Sequence, residues 1–155
     1  MAMTMAGSVT LPAGRQAVWA ALNDPAVLQR AIPGCETLER AGEDAFTATA
    51  KMSIGPVKAK FNGRVQLSEI DPPNGYTISG EGQGGVAGFA KGGAKVRLED
   101  AEEGGTLLSY DVEAQVGGKI AQLGGRLING VAKKYADEFF ANFAKELRPD
   151  GEEAA

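Results

Sequence analysis

A chain of 155 residues with sixteen basic and twenty acidic side chains, net charge −4, is long enough for one domain with a real core. Its overall charge does not suit nucleic acid. Histidine is absent and Cys35 is the sole cysteine, which excludes an intrachain disulfide, a cysteine–histidine metal site and the usual general base at neutral pH.

No stretch approaches the roughly 18 consecutive apolar residues of a membrane span. Residues 1–7 lack the basic region and long apolar run of a secretory signal, so a cytoplasmic location is expected. Residues 3–11 read as a first strand, broken by Pro12-Ala13-Gly14. Residues 15–22 carry Val18, Trp19 and Leu22 on one helical face. Asp24 suits an N-cap and Pro25 a first helical position, so a second short helix is expected over 25–31, ending at Ile32-Pro33-Gly34.

From Cys35 to Gly118 the apolar period is two. Phe46, Ala48, Ala50, Met52 and Ile54 alternate with polar residues, as do Val57, Ala59, Phe61, Gly63, Val65 and Leu67. This predicts antiparallel strands buried on one side, with turns at Gly55-Pro56 and Asp71–Gly75. Further strands are expected at about 76–84, 89–100 and 105–116. The stretch Gly80–Gly85 nearly matches a dinucleotide fingerprint, but such a loop must join a parallel strand to a helix start. Antiparallel strands flank it here, so it reads as a bulged hairpin or flap, with Phe89 as a lid.

Over 119–147, Ile120, Leu123, Leu127, Val131, Tyr135, Phe139, Phe143 and Leu147 recur at three- and four-residue steps, predicting one long helix with a single apolar stripe. The order predicts an α+β helix-grip fold: a curved antiparallel sheet around a long C-terminal helix, with two short helices after the first strand. One domain over 1–148 and a disordered tail over 149–155 are expected.

The alternation places Ala48, Ala50, Ala59, Gly63, Gly80, Gly82, Ala94 and Ala114 on the inner face, among larger residues. Medium and large side chains fill the roughly 10 Å between a sheet and its packing partner. Small ones leave room for a ligand, or let the helix pack closer. On the first alternative the lining residues are Met52, Phe61, Tyr76, Phe89, Val96, Tyr110, Leu123, Gly124, Leu127 and Val131. The guest would be apolar, a lipid or an aromatic or isoprenoid molecule, with the two phenols as hydrogen-bond donors. No cofactor and no metal is expected beyond such a guest.

The chain also resembles a known family. Ile32-Pro33-Gly34-Cys35, Ala50–Val57 with Phe61-Asn62-Gly63, Gly88–Gly92, and above all Val116–Ile128 with Ala136–Phe140 are similar to the carbon monoxide dehydrogenase CoxG family of the START-like (SRPBCC) superfamily. The resemblance covers roughly residues 3–147. It implies a helix-grip fold with an apolar pocket and a non-catalytic accessory role beside a molybdenum hydroxylase. That role is membrane recruitment of the enzyme or passage of electrons to membrane quinone, so a quinone becomes a natural guest. Some members carry a C-terminal anchor. The sequence ends at Ala155 without one, so transient contact with the inner membrane face is expected.

Lys51, Lys58, Lys60, Lys119 and Arg126 are the candidate partner or membrane surface; the alternative is a solvated sheet face that blocks edge pairing. The expected partners are thus an apolar small molecule, a molybdenum hydroxylase and a membrane surface, with room for a homodimer and none for nucleic acid. Two other functions stay open. One is a cyclase or hydrolase using Tyr76, Tyr110, Glu81 or Asp111, although alternation turns both carboxylates outward. The other is a ligand-free assembly factor.

Overall fold

The computed structural model describes residues 2–147, with Glu103 described by its backbone only. The expected tail at 149–155 lies outside the described residues. The elements are β1 (Ala2–Leu11), α1 (Arg15–Leu22), α2 (Pro25–Ala31), β2 (Cys35–Arg40), β3 (Ala45–Ile54), β4 (Val57–Asp71), β5 (Gly75–Gln83), β6 (Phe89–Asp100), β7 (Thr106–Gly117) and α3 (Gly125–Leu147). This is the helix-grip arrangement expected from the element order.

The strands form one antiparallel sheet in the order β1-β7-β6-β5-β4-β3-β2. Each short helix starts where local chemistry dictates. In α2 the Asp24 carboxylate accepts a hydrogen bond from the Ala26 N–H at 3.0 Å, and Pro25 occupies the first turn, where a missing N–H costs nothing. In α1, Val18 and Leu22 are buried, and the Trp19 ring meets Tyr76 at 5.2 Å between centroids.

The single long helix expected over 119–147 is interrupted. Lys119–Leu123 forms a short 3-10 turn, and Gly124 takes a positive φ of 91° before α3 begins at Gly125. The apolar period continues through Ile120 and Leu123, which is why periodicity alone does not see the break. A left-handed φ is open to glycine without a Cβ clash, so Gly124 turns the chain rather than weakening a helix interior.

The apolar interior is two clusters, not one. The larger holds Leu11, Val18, Leu22, Leu38, Phe46, Leu67, Tyr76, Val96, Leu98, Leu108 and Phe143, with Phe139, Phe140 and Leu147 packed on it. The smaller gathers Ile54, Phe61, Ala87, Val116, Ile120 and Ile128, with Met52, Leu123 and Val131. Helix α3 spans both. Its C-terminal half is tied to α2 by Asn142 Nδ2 donating to the Ala31 carbonyl at 3.0 Å and by Arg30 paired with Glu146 at 2.7 Å. Its N-terminal half is clipped to the sheet by Tyr135, whose hydroxyl accepts from the Ser53 N–H at 3.0 Å.

Phe143 is fully buried at the centre of the larger cluster, whereas Leu127 is 37% exposed. Phe143→Ala is expected to cost about 3–5 kcal/mol through lost transfer energy plus a cavity. Leu127→Ala is expected to cost about 1 kcal/mol or less. Urea denaturation midpoints of the two variants check the contrast.

Candidate functional site

Cross-strand register decides which side chains share a face, because directly paired residues point the same way. One row runs Ala48–Gly63–Gly82–Ala90–Val116. The next runs Phe46–Val65–Gly80–Gly92–Ala114–Met3, and the third Leu67–Ile78–Ala94–Val112–Met5. All three lie on the face that α3 covers.

Within these rows Gly63, Gly80, Gly82, Gly92, Ala94, Val112 and Ala114 belong to neither cluster. They form one contiguous band across four strands, and none of them is fully buried. A Cβ placed on Gly63 or Gly82 would find only neighbouring strand backbone within 4 Å and no atom of the helix. Above the band, between Ile128 and Phe139, the half-buried helix positions are Val131, Ala132, Tyr135 and Ala136. Small residues therefore face small residues, and a trough separates the two apolar clusters.

The large residues expected to line a pocket stand mostly at the two ends of this trough. Tyr76, Val96 and Tyr110 belong to the first end and Met52 and Phe61 to the second. Tyr76 is 7% exposed, and its hydroxyl makes no hydrogen bond with the described residues. Burial pushes its phenol well above the ordinary value, so at neutral pH it remains an uncharged donor. The Tyr110 ring stacks on Phe140 at 5.3 Å and lies over Gly7, where a side chain would strike it. No described carboxylate joins these phenols. Glu81 pairs across the sheet with Arg64 and Lys91, and Asp111 with Lys95, all on the opposite face.

Three expected lining residues sit elsewhere. Phe89 pairs with Gln83 and Gly117, one step out of phase with inward Ala90, so its ring rests against Gly117 on the convex side and does not cap the trough. Leu127 turns toward Gly55 and solvent, and Gly124 has nothing within 4 Å of a would-be Cβ. Leu123, Leu127 and Val131, with Arg126, Gly130 and Lys134, instead line an open groove of about 560 Å³ along the first turns of α3.

Sequence reasoning missed Gly92, Val112, Ala132, Ala136 and the Tyr135–Ser53 clip. Gly92 was findable only from its pairing with Gly80, a register fact rather than a motif. A larger hollow of about 910 Å³ lies on the convex side, bordered by Thr77, Ser79, Lys91, Lys95, Asp111 and Glu113. Its mixed charge and width suit solvent better than an apolar guest.

The five expected surface cations divide. Lys51 and Lys60 both pair with Glu36, at 3.4 and 3.2 Å, and those two ammonium groups hold the Glu36 carboxyl below its usual range. Lys58, Lys119 and Arg126 are exposed and make no ion pair with the described residues. The convex sheet is charge-alternating, Arg64–Glu81–Lys91 and Lys95–Asp111, not the basic patch that the lysine spacing suggested.

The basic surface lies instead at the smaller cluster's end. There the β3–β4 turn, the Gly85–Ala87 turn, the 3-10 turn and the start of α3 pack together. Segments 51–67, 84–98 and 114–136, which build this end, contain no Asp or Glu. Val86 is 93% exposed at its tip, and Leu127 stands beside Arg126 and near Lys134.

Comparison with known proteins fits this architecture. The family model for CoxG, the G-type component of carbon monoxide dehydrogenase, matches residues 7–148. The chain belongs to that family. A conserved protein from Geobacillus kaustophilus is 35% identical, with 94% of this chain and 95% of that one covered and a TM-score of 0.88. More distant chains share the fold: the Zhui aromatase/cyclase from Streptomyces sp. R1128 (15% identity, 97% and 99% covered, TM-score 0.69) and a START superfamily protein from Mycobacterium smegmatis (13%, 93% and 96%, 0.68). No curated protein matches the sequence. No described helix is long and apolar enough to cross a membrane.

The empty trough has a direct stability signature. Gly82→Val fills open space and removes a strand glycine, so it is expected to raise stability by about 0.5–1 kcal/mol. Gly84→Val drives a side chain into the Phe61 ring and is expected to cost about 1–3 kcal/mol. Thermal unfolding of the pair reads the difference in sign.

Proposed function

We propose that this CoxG-family protein is a non-catalytic accessory of a carbon monoxide dehydrogenase-type molybdenum hydroxylase. It holds an apolar guest, a quinone or lipid, in the trough and links the enzyme to the membrane surface. The observation that carries this reading is the contiguous glycine–alanine band between two apolar clusters. Filling it with protein would join the clusters into one better-packed core; leaving it open gains nothing for stability.

The trough's chemistry suits carriage over catalysis. Its walls are hydrocarbon, its polar groups are phenols and backbone, and the nearest carboxylates face the other side of the sheet. A phenol that stays protonated can donate one hydrogen bond to a quinone or ester carbonyl, which orients the guest without reacting with it. The membrane arm rests on the apolar tip at Val86 and Leu127, flanked by Lys119, Arg126 and Lys134. Such an end presents anionic headgroups with both charge and a shallow apolar wedge.

Organic extraction of freshly purified protein followed by mass spectrometry is expected to release a quinone or lipid near one equivalent. Gly82→Leu, which fills the trough, is expected to lose it while staying folded. Full retention of the guest by Gly82→Leu, or no guest and no uptake of added menadione or ubiquinone by the native protein, overturns the carrier reading.

For the membrane arm, co-sedimentation with phosphatidylglycerol vesicles is expected to exceed that with phosphatidylcholine and to fall with salt. Each basic residue near such a surface contributes about 1 kcal/mol. The double variant Arg126→Glu, Lys134→Glu is therefore expected to bind at least about tenfold less. Equal partitioning of native and variant protein would remove this end from the membrane contact.

A further inference from the structure

The two ends of the sheet are not alike. β2 is short and guarded: it carries Glu36, Glu39 and Arg40, its register breaks between Cys35 and Thr37, and Gln29 Nε2 donates to its Glu36 carbonyl at 2.9 Å. Those are the devices by which a sheet edge avoids pairing with another chain. β1 has none of them. It runs in unbroken register with β7 from Ala2 to Leu11, without a charge or a proline. Among the described residues, no hydrogen bond joins residues 2–10 to anything except β7. One whole side of its backbone thus has donors and acceptors with no protein partner.

We propose that β1 pairs antiparallel with β1 of a second copy about a two-fold axis at Ala6, making one continuous sheet across the dimer. The composition of the strand selects this partner. A residue near a two-fold axis meets its own copy, so a self-pairing strand must be neutral at its centre; like charges directly opposite are destabilising. A strand built to receive a charged segment of another protein would carry the complementary charge, and β1 carries none.

The register follows from the faces. The convex row of β1 is Ala2, Thr4, Ala6, Ser8 and Thr10, and its concave row is Met3, Met5, Gly7 and Val9. Keeping like faces together while overlapping all of Ala2–Thr10 requires the axis at Ala6. Thr4 then faces Ser8 and Met3 faces Val9. Both are favourable cross-strand pairs, a hydroxyl pair and an apolar pair. The small convex residues let the strands meet without collision. The basic, apolar-tipped end by Val86 and Leu127 belongs to other segments, so this inference stands apart from the carrier reading.

Sedimentation equilibrium across a dilution series tests it. The native protein is expected at twice the chain mass. Ala6→Lys, an exposed convex-side change, is expected to raise the dissociation constant at least about tenfold with an unchanged circular dichroism spectrum, since it sets two like charges directly opposite. In a Cys35→Ala background, Ala6→Cys is expected to oxidise to a covalent dimer, since opposed Cα atoms about 4.5–5.5 Å apart suit a disulfide. Thr10→Cys, which faces Ala2, is expected not to. A native protein that stays at single-chain mass throughout overturns the proposal. So does a dimer that is indifferent to Ala6→Lys and fails to cross-link through the thiol introduced by Ala6→Cys.

Discussion

Strand register is the constraint on which everything else here depends. Gly63, Gly80, Gly82, Gly92, Ala94 and Ala114 come from four strands and become a single band only because each ladder keeps its phase. A slip of one residue on β6 would turn Lys91 and Lys95 into the trough and Ala90, Ala94 and Val96 to solvent. The irregularities in the ladders sit away from the band. One falls between Cys35 and Thr37 at the β2 edge and the other between Ser68 and Asp71 at the far end of β4. The strands crossing the trough are thus regular where regularity matters.

An open middle costs packing, and the fold offsets that cost at its two ends. Phe139, Phe140 and Phe143 stack on one another and on Tyr110, with ring centroids 5.0 to 5.5 Å apart. This concentrates the aromatic contacts of α3 in its C-terminal half. Its N-terminal half relies on Ile128 and on the Tyr135–Ser53 clip. That clip exists because β2 pairs with β3 only as far as Ala50, leaving the Ser53 N–H without a partner on that side. Helix and hairpin are therefore joined there by polar contact rather than by a filled core. The better-packed end acts as the anchor, and the Gly124 turn lies at the looser one.

Much of this was legible in the residues alone. Alternation named the inner face of β3 to β7 correctly, and Asp24-Pro25 and Pro33-Gly34 bounded α2, because side-chain period and cap chemistry are local properties. What alternation did not provide was the partner of each residue. Phe89 looks like a lid when read as a lone aromatic in a glycine run; its phase relative to Ala90, set by the ladder with β7, turns it outward. The basic patch failed for the same reason. Lys91 and Lys95 are close in sequence, but Glu81 and Asp111 arrive beside them only through pairing. The break at Gly124 was hidden because the apolar stripe runs straight through it.

The inner and outer faces of the sheet divide the protein's chemistry in a way that bears on what such a fold can do. The carboxylates on the strands flanking the trough, Glu81, Asp111 and Glu113, sit on the convex side, where a cross-strand cation or water meets them. Moving one inward would place a charge against hydrocarbon with no described partner, at a cost of several kcal/mol or a proton. The segments at the smaller cluster's end carry no acidic residue at all, although acids outnumber bases in the chain. An uncharged trough and an acid-free basic end beside it are separate properties of separate residues, the first set by strand phase and the second by composition. A guest that leaves an anionic bilayer for an apolar interior encounters both, in that order, and neither demands a reacting group.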